Sequence, residues 1–321
     1  MSSITFLIPI IFAILFFVEM LYFRIANRCN IIDKPNERSS HTTITLRGGG
    51  IIFPIAALFS YFTTGIFSWF TLGLLAIATV SFWDDVKNLP ARVRILAHLT
   101  SVSLMFYDLS LFNQPWWYIA AAYILVIGTI NAYNFMDGIN GITGLYSLAL
   151  LVSLGAAATF LSSMLPLIVY VSTGVLVFLF FNFRKQAKCF AGDVGSVSMA
   201  FIALFIILYL IRETGNLKYI LFLSVYGVDS VLTIIHRLIL KENIFQAHRK
   251  HLYQYLSNQL KWPHLTVSAI YTTIQLVINI WVISAGSVKT SEAAIVLVSL
   301  GAVYILMKRL IITGKIRPVT A

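Results

Sequence analysis

Apolar runs of about 17–25 residues recur along the whole chain, separated by short polar stretches, which is the pattern of helices crossing a bilayer. Eleven spans can be drawn, at residues 4–23, 50–67, 68–83, 95–111, 116–133, 141–160, 165–182, 196–211, 217–235, 264–285 and 292–310. Several are short or closely spaced, so ten is an alternative count. A membrane β-barrel would instead show alternating segments of about ten residues. The pattern predicts an all-α, polytopic membrane bundle formed as a single domain over residues 1–321. The first run carries Glu19 and lacks both a basic leading region and a small-residue cleavage site, so it reads as a retained span and not a signal peptide.

Composition agrees. Of 321 residues, 59% are hydrophobic and 11% charged, whereas an ordinary soluble domain has roughly a quarter of its residues charged. The net charge of +11 would suggest nucleic acid in a soluble protein, but the placement of the charges argues against that partner. With the N-terminus outside, twenty of the 23 lysines and arginines fall in inner loops or at the C-terminal end, and only Arg212, Lys218 and Lys289 fall outside. The topology was drawn from hydropathy alone, so this asymmetry supports it independently and puts the C-terminus in the cytosol. The two cysteines, Cys29 and Cys189, form no metal or disulfide pattern. Both are expected to meet an impermeant thiol reagent only from the cytosolic side.

The inner face also gathers the unusual polar residues. In 131–144, N-A-Y-N-F-M-D-G-I-N-G-I-T-G, the residues Asn131, Asn134 and Asp137 are spaced by three and share one face if the segment stays helical. Gly138, Gly141 and Gly144 then allow close backbone approach. Asp84 and Asp85 end the third span. They are either a solvated pair or, since adjacent acids repel, a pair relieved by a cation or a proton-transfer role. Asp193 lies in a glycine-flanked turn, C-F-A-G-D-V-G-S, whose N–H groups could face an anion. Aspartates, a Gly-rich turn and many basic residues fit Mg²⁺, which is held by one or two carboxylates together with substrate phosphates. His248 and His251 are placed at i, i+3 with Arg249 beside them. They are structural, or contact a phosphate or nucleotide; no cysteine or HExxH pattern supports zinc. In N-E-R-S-S-H-T-T-I-T-L-R-G-G-G, residues Arg38, His41, Thr45 and Arg47 offer donors, or the arginines serve only as topology anchors. Asp229, inside the ninth span, is expected to pair with His236 or Arg237 as support.

Taken together, D-D at 84–85, N-x-x-N-x-x-D-G-x-x-G at 131–141, F-N at 181–182 with G-D-V-G-S at 192–196, and H-R-K-H-L-Y-Q at 248–254 resemble the polyprenyl-phosphate N-acetylhexosamine-1-phosphate transferases, glycosyl transferase family 4. The four motifs occur in that family's order. The resemblance implies an enzyme of the bacterial inner membrane that uses Mg²⁺. Its reaction transfers sugar-1-phosphate from a UDP-N-acetylhexosamine to undecaprenyl phosphate, releases UMP and begins cell-surface glycan synthesis. It implies Asp193 as the Mg²⁺ ligand and Asp84 or Asp85 as activator of the lipid phosphate. Asp137, counted with them as catalytic, would shape the metal and nucleotide pocket with Asn134 and Asn182. His248, Arg249 and His251 would grip the diphosphate, and Arg94 would face a phosphate. The wording around N-E-R-S-S-H-T is most similar to the subgroup handling deoxy-sugars for O-antigen, such as N-acetylfucosamine. Three departures stand out: Asn140 where many members have a second aspartate, Lys87 closer to the aspartate pair than the lysine of the cell-wall precursor branch, and Leu46 in place of a proline. An ion-coupled transporter or flippase is the alternative class, and oligomeric state, a homodimer included, is left open.

Overall fold

The computed structural model describes residues 2–34, 43–159, 161–244, 246 and 248–316. Twelve α-helices carry the fold: α1 (Ser2–Arg28), α2 (Ile52–Thr64), α3 (Ser68–Val86), α4 (Ala91–Asp108), α5 (Trp116–Phe135), α6 (Ile142–Ala157), α7 (Leu165–Asn182), α8 (Gly192–Thr214), α9 (Ser224–Ile239), the single turn α10 (Leu252–Gln254), α11 (His264–Ser284) and α12 (Thr290–Ile312). Among the described residues, eight helical segments are long and apolar enough to cross a membrane. Those at Gly49–Thr64 and Ile142–Ala157 are apolar but shorter, and α4 is interrupted by Arg92, Arg94 and Asp108. The protein is therefore an all-α polytopic membrane bundle, with fewer helices of spanning length among the described residues than the eleven segments expected.

The helix limits matter at the polar ends. α3 continues through Asp84 and Asp85, which are thus helical. α8 begins at Gly192, so Asp193 is in its first turn. α5 ends at Phe135, which leaves Asp137 in the turn that follows and off the face of Asn131 and Asn134.

Helix α8 is the centre, with 89% of its span buried, and it packs against α2, α3, α5 and α6. Phe205 of α8 stacks on Phe70 of α3 with ring centroids 3.9 Å apart. Lipid hydrocarbon gives apolar side chains no reason to hide, so outward faces keep residues such as Phe62 and Ile124 exposed, and helices are joined by packing and internal hydrogen bonds. Between α6 and α11, Tyr146 donates to Gln275 (2.7 Å), Gln275 to Asn279 (2.7 Å) and Asn279 to Ser153 (3.0 Å).

A two-stranded antiparallel ribbon, β1 (Ile32–Asp33) with β2 (Thr45–Leu46), precedes α2. The chain after it is sewn to the segment before α8. Phe190 N–H donates to Leu46 O (2.8 Å), Gly49 N–H to Phe190 O (2.9 Å) and Gly50 N–H to Ala191 O (3.0 Å). Glycine is needed here because a Cβ at Gly50 would lie 2.2 Å from Gly195 Cα. The R-G-G-G motif is thus a contact surface for the start of α8.

Candidate active site

The N-terminus of α8 organises the polar end of the bundle. Its first N–H groups are free of intrahelical partners and carry the positive end of the helix dipole. Two carboxylates of the protein itself take them. Asp85 accepts from Asp193 N–H (2.8 Å) and Val194 N–H (2.9 Å), and Asp137 accepts from Gly192 N–H. The glycine-flanked turn therefore faces an anion as expected, but that anion is internal.

Arg47 closes the cluster. Its Nε lies 2.7 Å from Asp85 Oδ1 and its guanidinium reaches Asp193 Oδ1 at 3.2 Å. The arginine expected on a substrate is engaged by two protein acids, with its side chain 31% exposed. Asp85, fully buried at the side chain, meets three donors and is a positioning group. Asp84 is different: Oδ1 accepts from Leu89 N–H (2.6 Å), Oδ2 meets Arg94 at 3.3 Å, and its carboxyl adjoins that of Asp193. Arg94 is about half exposed, so this pair opens towards solvent.

Asp137 accepts from Thr143 Oγ1 at 2.6 Å. Burial, reinforced by Asp193, pushes its carboxyl up to about 6 against the opposing pull of Thr143, Arg47 and Gly192. Asn134 accepts from Ser196 Oγ (2.6 Å), which ties α5 to α8. Thr143 and Ser196 were missed by sequence reasoning; the only signal was their position inside the two glycine-rich motifs.

Other expected residues sit apart. Asn131 donates to Ile127 O of its own helix (2.8 Å) and does not join the cluster. Asn182 is buried, accepts from Gly141 N–H (2.7 Å) and donates to Cys189 O (2.8 Å), so it braces two loops. Thr45 donates to Thr43 O (3.1 Å) within its own loop. Gly138, Gly141 and Gly144 face the side chains of Tyr253, Phe183 and Leu179, where backbone contact was expected. Arg38 and His41 lie outside the described residues. Cys189 is completely buried while Cys29 is exposed, so only Cys29 can meet a thiol reagent in the folded protein.

The histidine segment docks on the end of α5, next to Asp137. Tyr253 OH donates to Phe135 O (2.9 Å), and the His248 and His251 rings each lie 6.2 Å from the Phe135 ring. The two histidines are not on a helix: His251 caps α10 and His248 precedes it in chain without regular structure. Their rings nevertheless stack 4.9 Å apart, with the partly buried Arg249 in the same stretch. Burial and the neighbouring His251 and Arg237 hold His248 down at about 4, hence neutral. Asp229 pairs with His251 (3.1 Å), correcting the expected His236 or Arg237; Arg237 binds Glu242 and the Asn243 and Ile244 carbonyls.

Among the described residues, no three His, Cys, Asp or Glu side chains form a ready cation cage. The Asp193 carboxyl nonetheless adjoins that of Asp84 and acts on that of Asp137. That donor set fits Mg²⁺, which takes few protein ligands and completes its shell with phosphate and water.

Residues 67–211 match the family described as Glycosyl transferase family 4. The chain is 26% identical over 260 residues to a probable undecaprenyl-phosphate N-acetylglucosaminyl 1-phosphate transferase of Bacillus subtilis, covering 73% of this chain and 71% of the relative. It is 25% identical over 263 residues to an undecaprenyl-phosphate alpha-N-acetylglucosaminyl 1-phosphate transferase of Thermotoga maritima, covering 78% and 82%. It is 27% identical over 162 residues to a phospho-N-acetylmuramoyl-pentapeptide-transferase of Thermotoga neapolitana, covering 50% and 52%.

Proposed function

We propose, for a chain whose residues 67–211 match glycosyl transferase family 4, that it transfers N-acetylhexosamine-1-phosphate from a UDP-sugar to undecaprenyl phosphate and releases UMP. The observation that carries this reading is that Asp193 lies beside Asp84 and interacts with Asp137 at one end of the bundle, with Arg94 on Asp84 and the His248–His251 segment docked on the end of α5 next to Asp137. A water-soluble donor and the headgroup of a membrane lipid can reach such a place together, while the lipid tail stays in the bilayer.

Phosphoryl transfer asks for positioning and charge neutralisation more than for covalent chemistry. In this reading Asp193 holds Mg²⁺, with Asp84 and Asp137 beside it, and the ion supplies charge neutralisation at the donor's pyrophosphate. Arg94, released from Asp84, takes the acceptor phosphate, whose second ionisation lies near pH 6 and which therefore needs little activation at neutral pH. Asp84, and not the saturated Asp85, is the acid positioned to accept its remaining proton. Asp85 and Arg47 keep Asp193 in place. His248, Arg249 and His251 meet the diphosphate.

Protein in detergent is expected to release UMP from a UDP-N-acetylhexosamine only with polyprenyl phosphate and Mg²⁺ present, and failure across a donor panel refutes the reading. Asp193→Asn is expected to abolish turnover. We further place this face in the cytosol and the product in O-antigen-type glycan synthesis, with a deoxy-sugar donor the first to test. Labelling of Cys29 from outside the cell would overturn the orientation.

A further inference from the structure

His251 is almost fully buried, and its ring is held from behind. Nδ1 lies 3.1 Å from Asp229 Oδ1, which also accepts from Leu252 N–H (3.1 Å) and Thr233 Oγ1 (3.2 Å), while Asp229 Oδ2 accepts from Tyr271 OH (2.6 Å). The carboxylate thus sits inside the bundle with a donor on every side, contributed by α9, α10 and α11. Helix α12 extends the arrangement: Tyr304 OH contacts Thr233 (2.7 Å), and the buried Lys308 donates to Tyr304 (2.7 Å) and to Lys250 O (2.8 Å), next to His251. At the other end of the ring, Nε2 is buried and has no partner.

An imidazole whose Nδ1–H is given to a carboxylate leaves Nε2 as a bare acceptor, unless the ring is doubly protonated and donates from both nitrogens. Only the doubly protonated form can hold Asp229 and a phosphate oxygen at once. The groups facing the ring are Asp229, the stacked His248 ring at 4.9 Å, the Tyr253 ring at 5.8 Å and Phe135. Tyr271, Tyr304 and Lys308 act on it through Asp229. Asp229 is the one carboxylate among them.

We infer that Asp229 is a positioning residue whose charge holds His251 as an imidazolium with Nε2–H directed at a phosphate of the bound nucleoside diphosphate. The inference deepens the reading given under Proposed function and rests on it. The proton at Nε2 comes from solvent and returns there when the ligand leaves; no other bond changes.

The conservative variant Asp229→Asn separates charge from shape. Its amide oxygen can still accept from His251 and Leu252, and the Tyr271 hydroxyl can turn to accept from the new NH₂. Loss of a charge-assisted hydrogen bond predicts UDP binding weakened roughly 10- to 100-fold, measured by calorimetry in detergent with Mg²⁺. The donor KM should rise by a similar factor with a smaller change in kcat, at a melting temperature close to that of the parent. Nitrogen-15 spectra of histidine-labelled parent protein should show Nδ1–H at His251 before UDP is added and both N–H groups after. If Asp229→Asn fails to fold, Tyr271→Phe and these spectra carry the test, with a smaller loss of UDP affinity expected. Unchanged UDP affinity in a folded Asp229→Asn, or an Nε2–H only tautomer in the parent, overturns this inference alone. Parent protein that binds no UDP overturns the transferase reading and this inference with it.

Discussion

Asn140 stands where many members of the resembled family have an aspartate, and its surroundings explain why an acid would not serve here. The residue is 4% exposed. Its Nδ2 donates to Arg184 O (2.8 Å) and to Lys185 O (3.2 Å), and its own carbonyl accepts from Ser268 Oγ of α11 (2.9 Å). The side chain therefore pins the loop after α7 onto the turn before α6. An ionised carboxylate has no proton to give, so Asn140→Asp removes two donations and sets an oxygen against two carbonyl oxygens. At about 0.5–1.5 kcal/mol per hydrogen bond, the change costs about 1–3 kcal/mol. The Arg184 and Lys185 backbone lies near the surface and can turn to water, which keeps the figure from going higher.

The assay is thermal inactivation in detergent, or pulse proteolysis, of Asn140→Asp and Asn140→Ala against the parent. Both should unfold more readily, Asn140→Asp the more so at neutral pH. Burial raises the pKa of the introduced carboxyl, so it regains one donor as pH falls, and the gap between the two variants should narrow in acid. An Asn140→Asp protein as stable as the parent and more active would refute this account, because it would place the position in the ligand pocket and not in the scaffold.

Arg47→Lys keeps the charge but cannot span Asp85 and Asp193 as a planar guanidinium does. UMP release should fall by about tenfold, since losing one charge-assisted hydrogen bond from this cluster costs on the order of 1.4 kcal/mol after discounting for the partial exposure of Arg47. Parent-like turnover would show that the clamp is dispensable. The depressed His248, held at about 4 against an ordinary 6.5, predicts an acid dependence. Between these values the unfolded chain binds the proton that the folded one refuses, so folding stability should fall as pH drops from 6.5 to 4. His248→Gln should lessen that slope in acid unfolding, and an identical slope would rule out the assignment.

The bundle was legible because periodicity and length dominate in a membrane protein: every drawn span overlaps a helix, though among the described residues only eight helical segments are long and apolar enough to cross a membrane. The site was legible at the level of which motifs meet. Asp193 lies beside Asp84 and interacts with Asp137, and the histidine segment docks on the end of α5. What could not be read was the division of labour, because it depends on which N–H groups each carboxylate captures. Asp84 and Asp85 are neighbours in sequence, yet one hydrogen-bonds the start of α8 and the other the chain after α3 and Arg94. Asn131 and Asn182 read like pocket residues because amides are rare at span ends, but a buried backbone needs amides too. The Asp229–His251 pair, 22 residues apart, depends on how the loop between them folds back.

Asp84, Asp85, Asp137 and Asp193 bring four acidic side chains to the end of α3, the turn after α5 and the start of α8, and the contacts shown to them from basic side chains among the described residues are those of Arg47 and Arg94. The helix dipole of α8 adds about half a positive charge. A UDP-sugar brought into that field adds two more negative charges, so its pyrophosphate is repelled unless a cation enters with it. We therefore expect removal of Mg²⁺ with a chelator to weaken UDP binding itself and not only turnover, and restoring Mg²⁺ to recover it. In Asp193→Asn the chelator effect on UDP binding should shrink, because one of the repelling acids is gone along with the proposed ligand. UDP binding that is equally tight with and without Mg²⁺ in the parent would mean that the four carboxylates are balanced from within the protein, and the metal assignment to Asp193 would fall.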